Sequence, residues 1–330
     1  MKKQGAILRA IIMALGIFYF QDRGEIMTSP FYFKRLCVVS FLIFSITLYF
    51  SDCIYAKTFT DDIGRNIEIT KKPERIISLA PNITEILFFL QLGNKIVGVT
   101  DFCDYPEEAK LKTKVGWLIS PGIEKIISLR PDIVFATAEG NRPEIVEELE
   151  RMKINVYVMN PHNISDVLRE IRAIGNITGQ VDIALTGVNA LTRRIDNIKK
   201  KIVAGSQKRV MYLVSIDPVI SIGPGSFIHD MLTTAGGINV LSDSPIRYPR
   251  IDMEEIILKD PEVIIAPTDL IVLIDVWKKR WGGISAITHG NVYPINPDII
   301  SRPGPRIVDG LEQIYEYIHG TSKFKNQISK

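Results

Sequence analysis

Cysteine is nearly absent from this chain: Cys37, Cys53 and Cys103 are the only three in 330 residues. The first two fall in or beside an apolar run that reads as an export segment. One thiol then remains, no internal disulfide can form, and stability must come from core burial. Histidine is equally sparse. His162, His229, His289 and His319 are scattered with no pair at metal-ligand spacing, which argues against a bare zinc or manganese site. The chain also lacks a GxGxxG fingerprint, a P-loop lysine and any Ser-His-Asp or Cys-His grouping. Asp101 and Asp104 flank Cys103 and disfavour its thiolate. No catalytic residue and no resident metal are expected.

No apolar run reaches the about 20 residues of a membrane span. The longest unbroken one, Leu36–Phe50, has fifteen. With Lys34 and Arg35 before it and Tyr55-Ala56 after it, it reads as a secretory signal peptide cut after Ala56. Lipoprotein attachment through Cys53 is disfavoured by the neighbouring Asp52. A second apolar patch at Ala6–Phe20 makes residues 1–26 an upstream extension and Met27 the expected start. Taking away residues 1–56 removes six of the 40 basic and three of the 37 acidic residues and leaves 34 of each. The exported chain is therefore neutral, and without a basic excess nucleic acid is excluded as a partner.

What is present is alternation. From Arg75, the β-branched runs IISLA, KIVGVT, DIVFA and NVYVMN alternate with ITEILFFLQLG, IEKIISL and EIVEELERMK, whose apolar residues fall at helical spacing. After Lys208 the pattern begins again with VMYLVSI, SFIHDMLTTAGG, INVL, MEEIILK, EVIIAP and VYPIN. Alternation of this kind predicts parallel sheets covered by helices. Between the two series, Val181–Ile202 has no proline, keeps helical spacing and ends in Lys199, Lys200 and Lys201, as suits a helix C-terminus. The expected division is an N-terminal α/β lobe over 57–180, a linker helix over 181–204 and a C-terminal α/β lobe over 205–330. A single helical strut allows only limited rocking, so the cleft between lobes is largely preformed and is the default ligand site. The loop Ser221–Asp230 reads as a Gly-Pro-Gly turn with Ser226 as a helix cap.

One unit occurs twice. IEKIISLRPDIVFA, Ile123–Ala136, overlays MEEIILKDPEVIIA, Met253–Ala266, with Pro131 over Pro261, and this matches Glu124 with Glu254, Ile127 with Ile257 and Asp132 with Glu262. Start signals are Ser120-Pro121 in the first and an Asp252/Glu255 capping box in the second. An acid in a first helical turn can simply complement the helix dipole. Two at equivalent positions of two lobes related by a pseudo-twofold would instead set both carboxylates on one rim of the cleft, where they can meet a symmetric partner.

SLAPNITEILFFLQLGNKIVGVTDFCDYP, the IEKIISLRPDIVFA unit and RPGPRIVDGLEQI together resemble the class III periplasmic substrate-binding proteins of ABC importers, particularly the vitamin B12 (cobalamin)-binding branch. The resemblance covers nearly the whole exported chain. It implies two Rossmann-like lobes bridged by one helix, a periplasmic location, no enzymatic activity and a monomer. It further implies that Glu124 and Glu254 dock on arginines of the two permease subunits, behind which stands a cytoplasmic ATPase. A corrinoid cargo needs broad aromatic faces and a few polar tips. Phe102, Tyr105, Trp117 and Tyr248, with the polar Asp298 and Arg302, stand where that branch places cleft residues. Thr137 and Ile220 stand where it has aromatic ones. Cobinamide, haem or a ferric siderophore are alternative cargoes, and an extracytoplasmic enzyme on the same fold is the third reading.

Overall fold

The computed structural model describes residues 57–271, 279 and 281–320. The expected start at Met27, the export segment and the cut after Ala56 lie outside the described residues. The chain enters on a hairpin the sequence reading did not foresee, β1 (Lys57–Thr60) antiparallel to β2 (Asn66–Ile69). Strands β3 (Ile76–Ser78), β4 (Ile96–Val99), β5 (Ile133–Thr137) and β6 (Val156–Met159) then form a parallel sheet in the order β4-β3-β5-β6. Every residue of β3, β5 and β6 is buried. Helices cover both faces of the sheet, which is why these strands read as continuous apolar runs and do not alternate. The helices of this half are α1 (Pro81–Phe89), α2 (Ile123–Ser128), α3 (Pro143–Arg151) and α4 (Ile164–Thr178).

Helix α5 (Val181–Lys201) follows, and every strand of the first sheet precedes it while every strand of the second comes after. The second sheet is built from β7 (Arg209–Ile216), β8 (Val219–Ser221), β9 (Ile238–Asn239), β10 (Val263–Pro267) and β11 (Val292–Ile295). Its order is β11-β10-β7-β8 with β9 also on β7, and only the β7–β8 hairpin is antiparallel. Helices α6 (Phe227–Thr234), α7 (Met253–Lys259) and α8 (Ile307–His319) complete this half. At the predicted Gly-Pro-Gly turn Gly225 takes φ +77°, and the Ser226 hydroxyl accepts the His229 N–H at 3.2 Å, capping α6.

The long helix buries Ala184, Val188, Leu191, Ile195 and Ile198, a stripe at spacings of three and four. Helix α4, which the sequence reading passed over, packs against it. A Cβ at Gly175 of α4 would stand 2.4 Å from the Ala184 Cβ and 3.2 Å from the Gln180 carbonyl oxygen. On the other side Gly187 leaves room for the Phe89 ring of α1. The C-terminal half is tied on by Arg194, whose guanidinium holds Glu312 at 2.7 and 2.9 Å and Asp309 at 2.6 Å. One hydrophobic cluster therefore runs from Ile67 to Ile318 through this helix. Gly175→Ala is expected to lower stability by about 1–3 kcal/mol, because two helix backbones must separate. Gly187→Ala should cost less, since the half-buried Phe89 ring can swing aside. Urea unfolding of the two variants orders them.

The repeated unit keeps its matching in three dimensions. Arg75, just ahead of β3, donates from Nε to the Leu129 and Arg130 carbonyls at the end of α2, at 3.0 and 3.1 Å. Arg209, opening β7, donates likewise to the Asp260 carbonyl at the end of α7, at 3.0 Å. Asp132 Oδ2 accepts the Arg75 N–H at 2.9 Å, and Glu262 Oε2 accepts the Arg209 N–H at 3.0 Å. The residue before each proline takes a positive φ, +45° at Arg130 and +37° at Asp260. One acid of each unit is thus spent on joining helix end to strand start. The start of α2 differs from the expectation. Its N-cap is Gly122 with no side-chain cap, because Pro121 sits in an extended bridge with Gly116 and the Gly122 N–H is drawn to the Val115 carbonyl at 2.7 Å. The Asp252 cap of α7 is present, accepting the Glu255 N–H at 2.9 Å.

Candidate functional site

Parallel strands put all their C-terminal ends on one edge, and in open α/β sheets that edge carries the ligand crevice. In the first sheet the segment after every strand reaches the C-terminal half. After β3, Asn82 Nδ2 donates to the Pro303 carbonyl at 3.4 Å. After β4, Asp104 pairs with Arg302, and after β5, Glu139 Oε1 accepts from Arg247 at 2.6 Å. After β6, the Ile164 N–H donates to Asp230 Oδ2 at 2.9 Å. Since β4 and β5 lie on opposite sides of β3, the Arg302 and Arg247 crossings follow strands on opposite sides of the sheet's middle. The space between them is the meeting line of the two halves.

Large rings follow the same strand ends or stand beside these crossings in the chain, each with about half or more of its surface open. Phe102 is 50% exposed, Tyr105 46%, Trp117 63% and Tyr248 49%. Phe102 meets Trp117 edge to face, with centroids 5.8 Å apart and planes at 78°, a favoured aromatic geometry. The loop bearing Trp117 is fixed by Asn141, whose Nδ2 donates to the Leu118 carbonyl at 2.7 Å and whose Oδ1 accepts the N–H of buried Thr137 at 2.8 Å. Tyr248 stands apart from this pair, beside Arg247 in the C-terminal half. Burial and the nearby Glu139 charge raise its phenol above the ordinary range.

The polar groups form one network. Asp298 and Arg302 pair at 2.9 Å, and Arg302 also holds Asp104, so the Arg302 guanidinium keeps the Asp104 carboxyl below its usual range. Arg306 grips Glu85 of α1 with both arms, at 2.6 and 2.8 Å, and its Cζ lies 3.8 Å from the Tyr105 ring centroid. Glu85 is 3% exposed. Burial pushes its carboxyl upward against the opposing pull of Arg306. Among the described residues Arg247, Arg302 and Arg306, which cross this line, each already hold a carboxylate.

Glu124 and Glu254 are exposed, in the first turns of α2 and α7. Among the described residues no ion pair is recorded for either, in contrast with Asp132 and Glu262. A helix that feeds a parallel strand runs antiparallel to it, so the first turns of α2 and α7 lie at the strand C-terminal edges of their sheets. Beside them the aliphatic side chains Ile257 and Leu258 are 57% and 83% exposed.

The structure therefore joins Phe102 to Trp117, Tyr105 to the arginine network and Asp298 to Arg302, while Tyr248 keeps to the other wall. Glu85, Asp104, Arg306, Glu139 and Arg247 escaped the sequence reading. The one available signal was a carboxylate at Glu85 inside the apolar run ITEILFFL. Burial, and not the neighbouring acids, disfavours the Cys103 thiolate. Its thiol is raised by burial, with Thr100 and Thr84 hydroxyls at 3.2 and 3.1 Å, and Asp104 is engaged by Arg302. Among the described residues no group of three or more His, Cys, Asp or Glu is placed to hold a metal ion.

Comparison with known proteins adds the following. The profile of a family described as periplasmic binding protein matches residues 76–299. The vitamin B12-binding protein of Vibrio cholerae is 29% identical over 245 residues, covering 74% of this chain and 89% of that protein. A crystal structure of the periplasmic vitamin B12-binding protein from Vibrio cholerae superposes with a TM-score of 0.68 at 28% identity, spanning 76% of this chain and 99% of that one. An uncharacterized ABC transporter substrate-binding lipoprotein of Bacillus subtilis is 32% identical over 274 residues, 81% of this chain and 86% of that protein. A possible iron-binding, periplasmic solute-binding protein from Staphylococcus epidermidis gives a TM-score of 0.68 at 29% identity, over 76% of this chain and all of that one.

Proposed function

The chain belongs to the periplasmic binding protein family, and from that premise we propose that it captures a corrinoid of the cobalamin kind between its halves and delivers it to a membrane permease driven by a cytoplasmic ATPase. It acts outside the cytoplasm, as a monomer, and makes or breaks no covalent bond in its cargo. Residues 57–180 and 205–330 serve as the two jaws and the helix over 181–204 as a strut that limits their rocking.

One observation carries the choice of cargo. Phe102, Tyr105, Trp117 and Tyr248 leave about half of each ring uncovered at the line where the halves meet. Among the described residues nothing covers that surface, and a broad, flat, mostly apolar ligand would bury it. Charge separates the alternatives. Haem propionates or an anionic ferric siderophore would be held best by guanidinium groups, yet Arg247, Arg302 and Arg306 are each paired with Glu139, Asp104 or Asp298, and Glu85, which leaves Lys114, bonded to backbone carbonyls, as the cation beside Phe102. A neutral corrinoid fringed with amides can bond to such paired groups without breaking them. The Staphylococcus epidermidis relative keeps an iron chelate as the second reading.

Titration of the purified protein with cyanocobalamin, cobinamide and haem is the test. Saturable binding of cyanocobalamin with haem weaker is expected, and the reverse order would replace the corrinoid by haem. In the same assay Trp117→Ala and Tyr248→Ala should each weaken cyanocobalamin binding roughly ten- to a hundredfold, the loss of about 1.5–3 kcal/mol of ring burial. Ala substitution at Leu111, 87% exposed and in none of the ring contacts above, serves as control.

A further inference from the structure

A buried carboxylate in an apolar helix face is strongly unfavourable unless partners hold it. Glu85 is such a group, and both of its partners come from the other half of the molecule. Arg306 binds it through two nitrogens at 2.6 and 2.8 Å, and Arg302 Nη1 stands 3.8 Å from Oε1. Each arginine carries a cleft group on its remaining side. Arg306 lies over the Tyr105 ring, and Arg302 holds Asp104 and Asp298. Backbone packing lets both arginines reach one acid: Gly304, between them, is buried, and a Cβ there would come within 3.3 Å of the Asn82 carbonyl oxygen.

We propose that Glu85 is a positioning residue of the binding cleft, a charged anchor on α1 that sets the spacing of the two halves on this side and holds Tyr105 and Arg302 as one wall for cargo. It touches no ligand itself and works through the two guanidinium groups. The cargo part of this inference rests on the corrinoid reading above, whereas the anchoring part does not.

Glu85→Gln keeps the shape of the side chain and removes the charge that two arginines share. Hydrogen exchange of the ligand-free protein should show amides of 102–105 and of 301–304, on opposite halves, losing protection together by about tenfold, with α5 unchanged. Gly304→Ala, which pushes the same segment off α1 by other means, should give the same paired loss. Cyanocobalamin affinity should fall about tenfold in Glu85→Gln, but less than about threefold when the substitution is made in a Tyr105→Ala background, and by the full factor in a Tyr248→Ala background. Unaltered exchange at 102–105, or an equal penalty in both tyrosine backgrounds, would overturn the positioning role. If the exchange coupling appears but the unmodified protein binds no corrinoid, the anchor stands and the choice of cargo falls.

Discussion

Reversing both exposed glutamates, Glu124→Arg with Glu254→Arg, should abolish cargo delivery while cyanocobalamin affinity changes less than about twofold. The expectation follows from how the repeated unit divides its acids. Asp132 and Glu262 are consumed in holding a strand start, each accepting the backbone N–H of an arginine that also caps the preceding helix. The other matched pair, Glu124 and Glu254, is exposed and holds no ion-pair partner among the described residues, and each lies in a first helical turn at the strand C-terminal edge. Two charge-assisted contacts to guanidinium groups are together worth about 3–6 kcal/mol, so their reversal lowers docking roughly a hundred- to ten-thousandfold. Uptake of labelled cyanocobalamin in cells carrying only the double variant measures this directly. Normal uptake would remove the docking role, and loss of uptake together with loss of ligand affinity would point to misfolding instead.

The second large effect concerns Glu170 on α4. It is 1% exposed, its Oε2 has no hydrogen-bond partner, and Arg169 Nε approaches Oε1 only to 3.4 Å. Burial, followed by the charge of Asp62, pushes its carboxyl up to about 8, and the Tyr157 hydroxyl facing it offsets little of that. In the unfolded chain the same group titrates near the ordinary glutamate value, about 4.3. The folded state therefore favours the protonated form. Its contribution to stability is complete below the unfolded value and is lost as pH rises through about 8. The loss is a few kcal/mol. Glu170→Gln keeps the shape and abolishes the titration. It should match the parent at pH 5 within about 1 kcal/mol and exceed it by about 2–4 kcal/mol at pH 9, read from urea unfolding. A parent protein whose unfolding free energy does not decline between pH 6 and 9 would rule this out.

Much of the fold was legible before any coordinates. The strands β3 to β7 and β9 to β11 were visible as short β-branched runs, because a strand buried on both faces must be apolar throughout. Helix α5 was visible from its spacing and its three terminal lysines. The hairpin β1–β2 was missed because its burial alternates at only a few positions, and α4 was missed although it buries Val167, Ile171 and Ile174 at helical spacing. Of the candidate site, the rings at 102, 105, 117 and 248 could be picked out as aromatics in loops that leave strands. Their grouping was not legible, nor was the fact that Tyr248 faces a different set of neighbours from the Phe102–Trp117 pair.

The sequence by itself determined the alternation of strands and helices, the long helix between two series, the duplicated unit and the reliance on burial in place of disulfides. These are local properties, written in the period of apolar residues over ten or fifteen positions. Only the tertiary structure decided which charges are spent and which are free. Arg302 meets Asp104 across 198 residues and Arg306 meets Glu85 across 221. A charge carries no period and no mark of its partner. Its pairing is settled by which strand ends the sheets bring within a few ångströms, where the loss of hydration makes an unpaired charge too costly to keep.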